Sequence, residues 1–171
     1  MNKKYLPALV CGFGASVLTT IPGMENVACC LLAPVASGIS IFLYKKSQPG
    51  VLKIETGTGI LLGLLTAIFA AIFASSFEII ITYITRSSDL AVSIPQAEQV
   101  VKDMNLGPAA EESIGVLKQM VSEIQSKGFS FLYALLITLT NLITYSIFGI
   151  IGGMVATAII NKRKIRSISQ C

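Results

Sequence analysis

Residues 57–85 read GTGILLGLLTAIFAAIFASSFEIIITYIT. Gly59, Gly63, Ala67, Ala71 and Ser75 recur at every fourth position, with Thr66, Ala70 and Ala74 beside them. Positions four apart stack on one face of a helix, so the spacing predicts a helix carrying one continuous strip of very small side chains. Leu61, Leu62, Leu65, Ile68, Phe69, Ile72 and Phe73 are left to cover the other faces. In water, Gly and Ala make a poor core stripe. In lipid the same stripe lets two helices approach closely, because association there draws on backbone packing rather than on hiding oil from water. Glu78 follows Ala71, Ala74 and Ser75 at spacings of seven, four and three, which puts the one carboxylate of this stretch on the small face.

The rest of the composition agrees with a membrane reading. Of 171 residues, 53% are hydrophobic and 13% charged, about half the charge of an ordinary soluble domain. Mean hydropathy is +0.75, and the apolar residues lie in long blocks, as spans do. Histidine and tryptophan are absent. The first absence removes the commonest acid–base and metal-binding side chain. The second leaves Tyr5, Tyr44, Tyr83, Tyr133 and Tyr145 to supply an aromatic belt. Cys11, Cys29, Cys30 and Cys171 have neither metal-ligand nor redox spacing and read as small hydrophobes.

Working outward, Met1–Lys4 is a short basic leader. Residues 6–21 read as a first span with Ala8, Gly12, Ala15, Ser16 and Thr19 on its small face, ended by Pro22-Gly23. The leader and this block resemble a signal peptide, but a second apolar block follows at once and argues against cleavage. Residues 27–44 return as a second span, kinked at Pro34. Both are short for a hydrocarbon slab of about 30 Å. Two geometries satisfy this: full spans, or a re-entrant hairpin whose tip, with Glu25, stops short of the far surface.

The third span, 59–84, is over-long and must tilt or project beyond the bilayer. Residues 86–128 are the one soluble-looking part, an insert with four basic and six acidic residues. Ile94-Pro95 is expected to open a helix ending at Leu106-Gly107. Pro108 then opens a second one, with an apolar stripe of Ile114, Leu117, Val121 and Ile124 and with Met120 alongside. Residues 129–160 form the last span. Ala134, Thr138, Asn141, Tyr145, Gly149, Gly152 and Ala156 give it a small and polar seam, Gly149 and Gly153 form a GxxxG pair, and Asn161–Arg166 is a basic stop.

Counting the sides sets the expected orientation. Lys3, Lys4, Lys45, Lys46, Lys53, Lys162, Arg163, Lys164 and Arg166 fall in one compartment; Arg86, Lys102, Lys118 and Lys127 fall in the other. By the positive-inside rule both termini are cytoplasmic and 86–128 faces outward. Because the net charge of +4 sits in short juxtamembrane loops, nucleic acid is not the expected partner.

A short hairpin ending in Tyr44-Lys45-Lys46, a Gly-rich entry (Gly57, Gly59, Gly63), about forty residues of outer helix and a final span with a basic tail together resemble a known family. It is a family of small bacterial inner-membrane proteins, common in Bacteroidetes-type bacteria, and a domain of unknown function. The resemblance implies a four-helix protein of the bacterial cytoplasmic membrane. It brings no catalytic or binding residue with it.

The expected fold is therefore an all-α integral membrane bundle of four transmembrane segments with an extracytoplasmic amphipathic helical segment between the third and fourth. Glu78, Asn141, Tyr145 and Glu25 are the candidate polar membrane site, since an ionisable group on the inner face of a membrane helix is costly. The packing set is Gly59, Gly63, Ala67, Ala71, Ser75, Gly149, Gly152 and Gly153. No nucleophile–base pair, P-loop, dinucleotide fingerprint or metal cluster is legible, so neither enzyme activity nor a cofactor is expected. The partners expected are the lipid bilayer and either further copies of the chain or another membrane protein. The alternative reading is a small oligomeric transporter or channel using Glu78 and the Asn141 seam.

Overall fold

The computed structural model describes residues 5–21, 25–48, 53–104 and 107–168; of these, the side chains of 25–29, 89 and 163–168 lie outside the description. Among the described residues there are six α-helices and no strand. They are α1 (Tyr5–Thr19), α2 (Glu25–Lys46), α3 (Thr56–Thr85), α4 (Asp89–Asp103), α5 (Pro108–Lys127) and α6 (Phe131–Ile168). The 30 residues of α3 correspond to about 45 Å at the helical rise. Thr56–Thr85 and Phe131–Lys162 are long and apolar enough to cross a membrane; α1 is a shorter apolar helix.

The helices divide into two compact units, one from Met1–Ser75 with Thr138–Cys171, the other from Ser76–Ile137. In the first, α1 packs on α2 and buries Pro7, Ala8, Gly12, Ala15, Ser16 and Thr19. The centre is built from small side chains. Ala15, Ala33, Ala36, Ala67, Ala70, Ala71 and Ala74 form one cluster around Tyr145, with Cys11, Leu142 and Phe148 against it. A second cluster joins Ile41, Tyr44, Ile54 and Leu62, with Ala156 and Ile160 at its edge.

Most of the bulky side chains, outside the cluster of Ile41, Tyr44, Ile54 and Leu62 and the buried Tyr145, are on the outside or only partly covered. Val10, Phe13, Val17 and Leu18 of α1, Leu31, Val35, Ile39 and Phe42 of α2, Leu61 and Ile72 of α3, and Ile143, Ile147, Ile151 and Val155 of α6 are all exposed. Ser16, Ser37, Ser40, Thr66 and Thr157 are inside at 2% exposure or less. This inverts the order of a water-soluble core, in which large apolar residues are the buried ones.

In the second unit α4 packs on α5. The α5 stripe meets Tyr133 and Ile137 of α6 and Leu90 of α4 in a cluster centred on Met120 and Ile124. Both ends of α5 follow from backbone chemistry. Pro108 occupies the first turn, where its missing N–H costs nothing. Gly128 closes the helix in the left-handed region (φ 77°), its N–H donating to the Ile124 carbonyl at 2.7 Å.

Three expectations need correction. First, α4 opens at Asp89, with Ser88 as its N-cap residue, and takes Pro95 into its interior. Starting there places Leu90 and Ile94 four apart on one side, Ile94 buried and Leu90 against the α5 cluster, which outweighs the one hydrogen bond that proline forfeits. Second, α6 runs through the basic stretch to Ile168. Lys and Arg are good helix formers, and their charge excludes them from lipid rather than from a helix. Third, Leu62 does not cover an outer face: it is fully buried, filling the space among Ile41, Tyr44 and Ile54.

Candidate functional site

The crossing of α3 and α6 is built from backbone. A methyl group added at Gly63 would strike the Gly149 carbonyl and lie 3.1 Å from the Gly153 Cα. One added at Gly153 would come within 2.5 Å of the Gly59 carbonyl oxygen, and one at Gly149 would run into the Ala67 Cβ. Gly59 meets Thr157, whose hydroxyl donates to the Gly153 carbonyl at 2.8 Å. Ala71 and Ser75 are buried one and two steps further along the same strip.

Gly152 points elsewhere: its missing side chain would meet the Pro34 backbone of α2. The seam read from α6 is therefore shared between two neighbours, Gly149 and Gly153 serving α3 and Gly152 serving α2. Gly12 of α1 lies against the backbone of Thr66 and Ala70, and Phe13 stacks edge-on with Phe73 at 5.3 Å. Ser37 adds a long hydrogen bond from α2 to the Gly63 carbonyl, at 3.5 Å.

The polar candidates fall in both units. In the first, the Asn141 amide donates to the Ser75 hydroxyl at 3.1 Å, and Tyr145 is buried in the alanine cluster. In the second, the Tyr133 hydroxyl donates to the Glu78 carboxylate at 3.4 Å; Tyr133 is 5% exposed and Glu78 half-buried. Glu25 opens α2, and its side chain lies outside the described residues.

Two contributors lie outside the candidate site expected from the sequence: Tyr133, there a member of the aromatic belt, and Asn161, there part of the basic stop. The Asn161 side chain accepts from the Ile54 N–H at 3.2 Å and donates to the Ile54 carbonyl at 2.9 Å, closing a two-bond clamp on the segment before α3. The signal for both was present. Tyr133, Ile137, Asn141, Tyr145, Gly149, Gly153, Thr157 and Asn161 recur at every fourth residue, and none is exposed. A row of fours advances about 40° per step around the axis, so its members meet different neighbours along the helix. The three-four seam of Ala134 and Thr138 missed that row's outer members.

Chemically these are hydrogen-bonding pairs set in apolar helices. Among the described residues no group of three or more His, Cys, Asp or Glu side chains converges, and Cys11 and Cys30 are free thiols. The second unit also has a cleft between α4 and α5, lined by Glu98, Val101, Lys102, Glu111, Ile114, Gly115 and Lys118. Lys118 pairs with Glu98 across it. The hydrogen bond from Lys118 holds the Glu98 carboxyl below its ordinary range, helped by the charges of Lys118 and Lys102. Comparison with family models, with curated proteins and with solved structures finds no match to this chain.

Proposed function

We propose that the chain is a non-enzymatic integral membrane protein that acts by association, as an oligomer or as an accessory subunit of a larger membrane complex. The observation that carries this reading is the packing of the first unit, whose largest buried cluster is of Ala around Tyr145, with buried Gly, Ser and Thr beside it, while many of its Leu, Ile, Val and Phe side chains are exposed. In water that surface is an aggregation liability; in lipid it is solvated. The interior hydroxyls are consistent with a dry setting, since Ser37, Thr66 and Thr157 each donate to the carbonyl four residues back, at 2.7–2.8 Å.

In this reading α1, α2, α3 and α6 are four spans of a bacterial cytoplasmic membrane. Both termini are cytoplasmic, and α4 and α5 form an extracytoplasmic pair. The glycine strips are engaged inside the chain, so contacts with other proteins run through the bulky outer faces or through α4 and α5. Crosslinking in native membranes is expected to give a species larger than the monomer, or a co-purifying protein. Monomer alone, with nothing captured, sinks the association reading.

A second reading is favoured by one feature, the half-buried Glu78 carboxylate on an apolar helix. There the protein is an oligomeric transporter or channel using Glu78 and the Asn141 seam. Proteoliposome flux that Glu78→Gln leaves unchanged removes it.

A further inference from the structure

The charged residues at one end of the first unit are brought together by contacts that sequence spacing does not reveal. Lys45 and Lys46 end α2, Lys53 precedes α3, and Lys162 lies far along α6. Tyr44, next to Lys45, packs with Ile54, next to Lys53, and with Ile160 at the edge of the same cluster. Asn161, next to Lys162, is tied to Ile54 by both of its amide atoms. Three distant segments thus bring four lysine residues to one end of one compact unit. Lys46, Lys53 and Lys162 are exposed and Lys45 half-exposed, and none of the four makes an ion pair among the described residues. Glu55 is the carboxylate nearest in sequence, exposed immediately before α3.

We propose that this cluster is a binding site for the phosphate headgroup of an anionic lipid in the cytoplasmic leaflet, with Asn161 as the positioning residue that holds Lys53 and Lys162 together. The inference rests on the membrane reading above. Unpaired ammonium groups at the rim of an apolar surface attract phosphate. The adjoining exposed side chains Phe42, Leu43 and Ile159 offer the acyl chains a surface. A lipid satisfies both parts at once, whereas free phosphate satisfies only the first. With Lys45 and Lys46 carried on α2 and the segments of Lys53 and Lys162 held by the Asn161 clamp, the lysines meet the headgroup with less ordering cost than flexible loops would incur.

The test uses the full chain in neutral-detergent micelles, titrated with fluorescent phosphatidylglycerol, with phosphatidylcholine and inorganic phosphate as competitors. Phosphatidylglycerol is expected to bind at least tenfold more tightly than phosphatidylcholine, less so as salt rises. Each lysine near an anionic surface is worth roughly a fivefold change in affinity. The double variant Lys53→Gln/Lys162→Gln, at two exposed positions, should therefore weaken binding roughly 25-fold, while Lys102→Gln/Lys127→Gln leaves it unchanged. Asn161→Ala, which removes no charge, should weaken it severalfold. Equal affinity for the two lipids, or equal loss in the two double variants, overturns the proposal. Inorganic phosphate competing as well as the lipid at equal concentration overturns the lipid assignment. Flotation with phosphatidylcholine vesicles separates the two levels: a chain that fails to float loses both readings, and one that floats without preferring phosphatidylglycerol loses only this one.

Discussion

Replacing Gly63 by alanine adds one methyl group at the point where two backbones touch. The new Cβ would strike the Gly149 carbonyl and press on the Gly153 Cα at 3.1 Å and the Gly149 carbonyl carbon at 3.2 Å. These are main-chain atoms, so no rotamer change makes room and the two helices must separate. Overpacking of this kind costs about 1–3 kcal/mol, and the upper end applies where the neighbour is backbone. Against it, alanine gains about 1 kcal/mol over glycine in a helix. The net expectation is a loss of about 2 kcal/mol, roughly a 30-fold drop in the folded-to-unfolded ratio. Gly14→Ala is the internal reference, because none of the described residues lies within 4 Å of a Cβ there; it should keep the propensity gain and stabilise by about 0.5–1 kcal/mol. Both are read by equilibrium unfolding in mixed micelles titrated with a denaturing detergent. If Gly63→Ala stabilises as Gly14→Ala does, close backbone contact at this crossing is wrong.

Arg86 closes α3 in the left-handed region (φ 51°), its N–H donating to the Thr82 carbonyl at 2.9 Å. Arg86→Gly should stabilise by about 1 kcal/mol by relieving that conformation, and a loss in the same unfolding assay contradicts the assignment. The Asn141–Ser75 hydrogen bond should appear as a coupling of about 0.6 kcal/mol in a double-mutant cycle with alanine at each position; additive effects mean the bond contributes nothing. Ser40 has a buried hydroxyl without a hydrogen-bond partner among the described residues, so Ser40→Ala should be neutral or stabilising by about 1 kcal/mol, and a large loss would reveal a hidden partner. Because Glu98 titrates below its ordinary range, its pairing with Lys118 supports the α4–α5 contact above that range. The support is lost as the pH falls from the ordinary value through the depressed one. Protection of α5 amides, corrected for intrinsic exchange, should fall as the solution is acidified through the carboxylate range, relative to Glu98→Gln, and parallel pH profiles for the two proteins exclude the pair as the cause.

The strip on α3 was legible because a helix converts spacing directly into facing: residues four apart share a side whatever the rest of the chain does. The same rule made the α5 stripe readable, and the missing N–H of proline made its start at Pro108 readable. It failed at α4, where Pro95 suggested a start and tertiary burial of Leu90 and Ile94 decided otherwise. Among the candidate site residues, sequence placed Glu78 and Asn141 on plausible faces but not their partners. Tyr133 for Glu78 and Ser75 for Asn141 depend on how far one helix is slid along another, and many slides leave the same faces in contact.

Sequence alone therefore determined the apolar, helical character of the chain, the small face of each long helix and the placement of charge at their ends. All of these are properties of one helix with its immediate solvent. Which neighbour each glycine meets, that Leu62 is interior, and that Asn161 ties the segment before α3 to α6 were decided only in the tertiary structure. The reason is that a contact between helices is fixed by the register giving the closest total packing, a sum over both surfaces that no single segment contains.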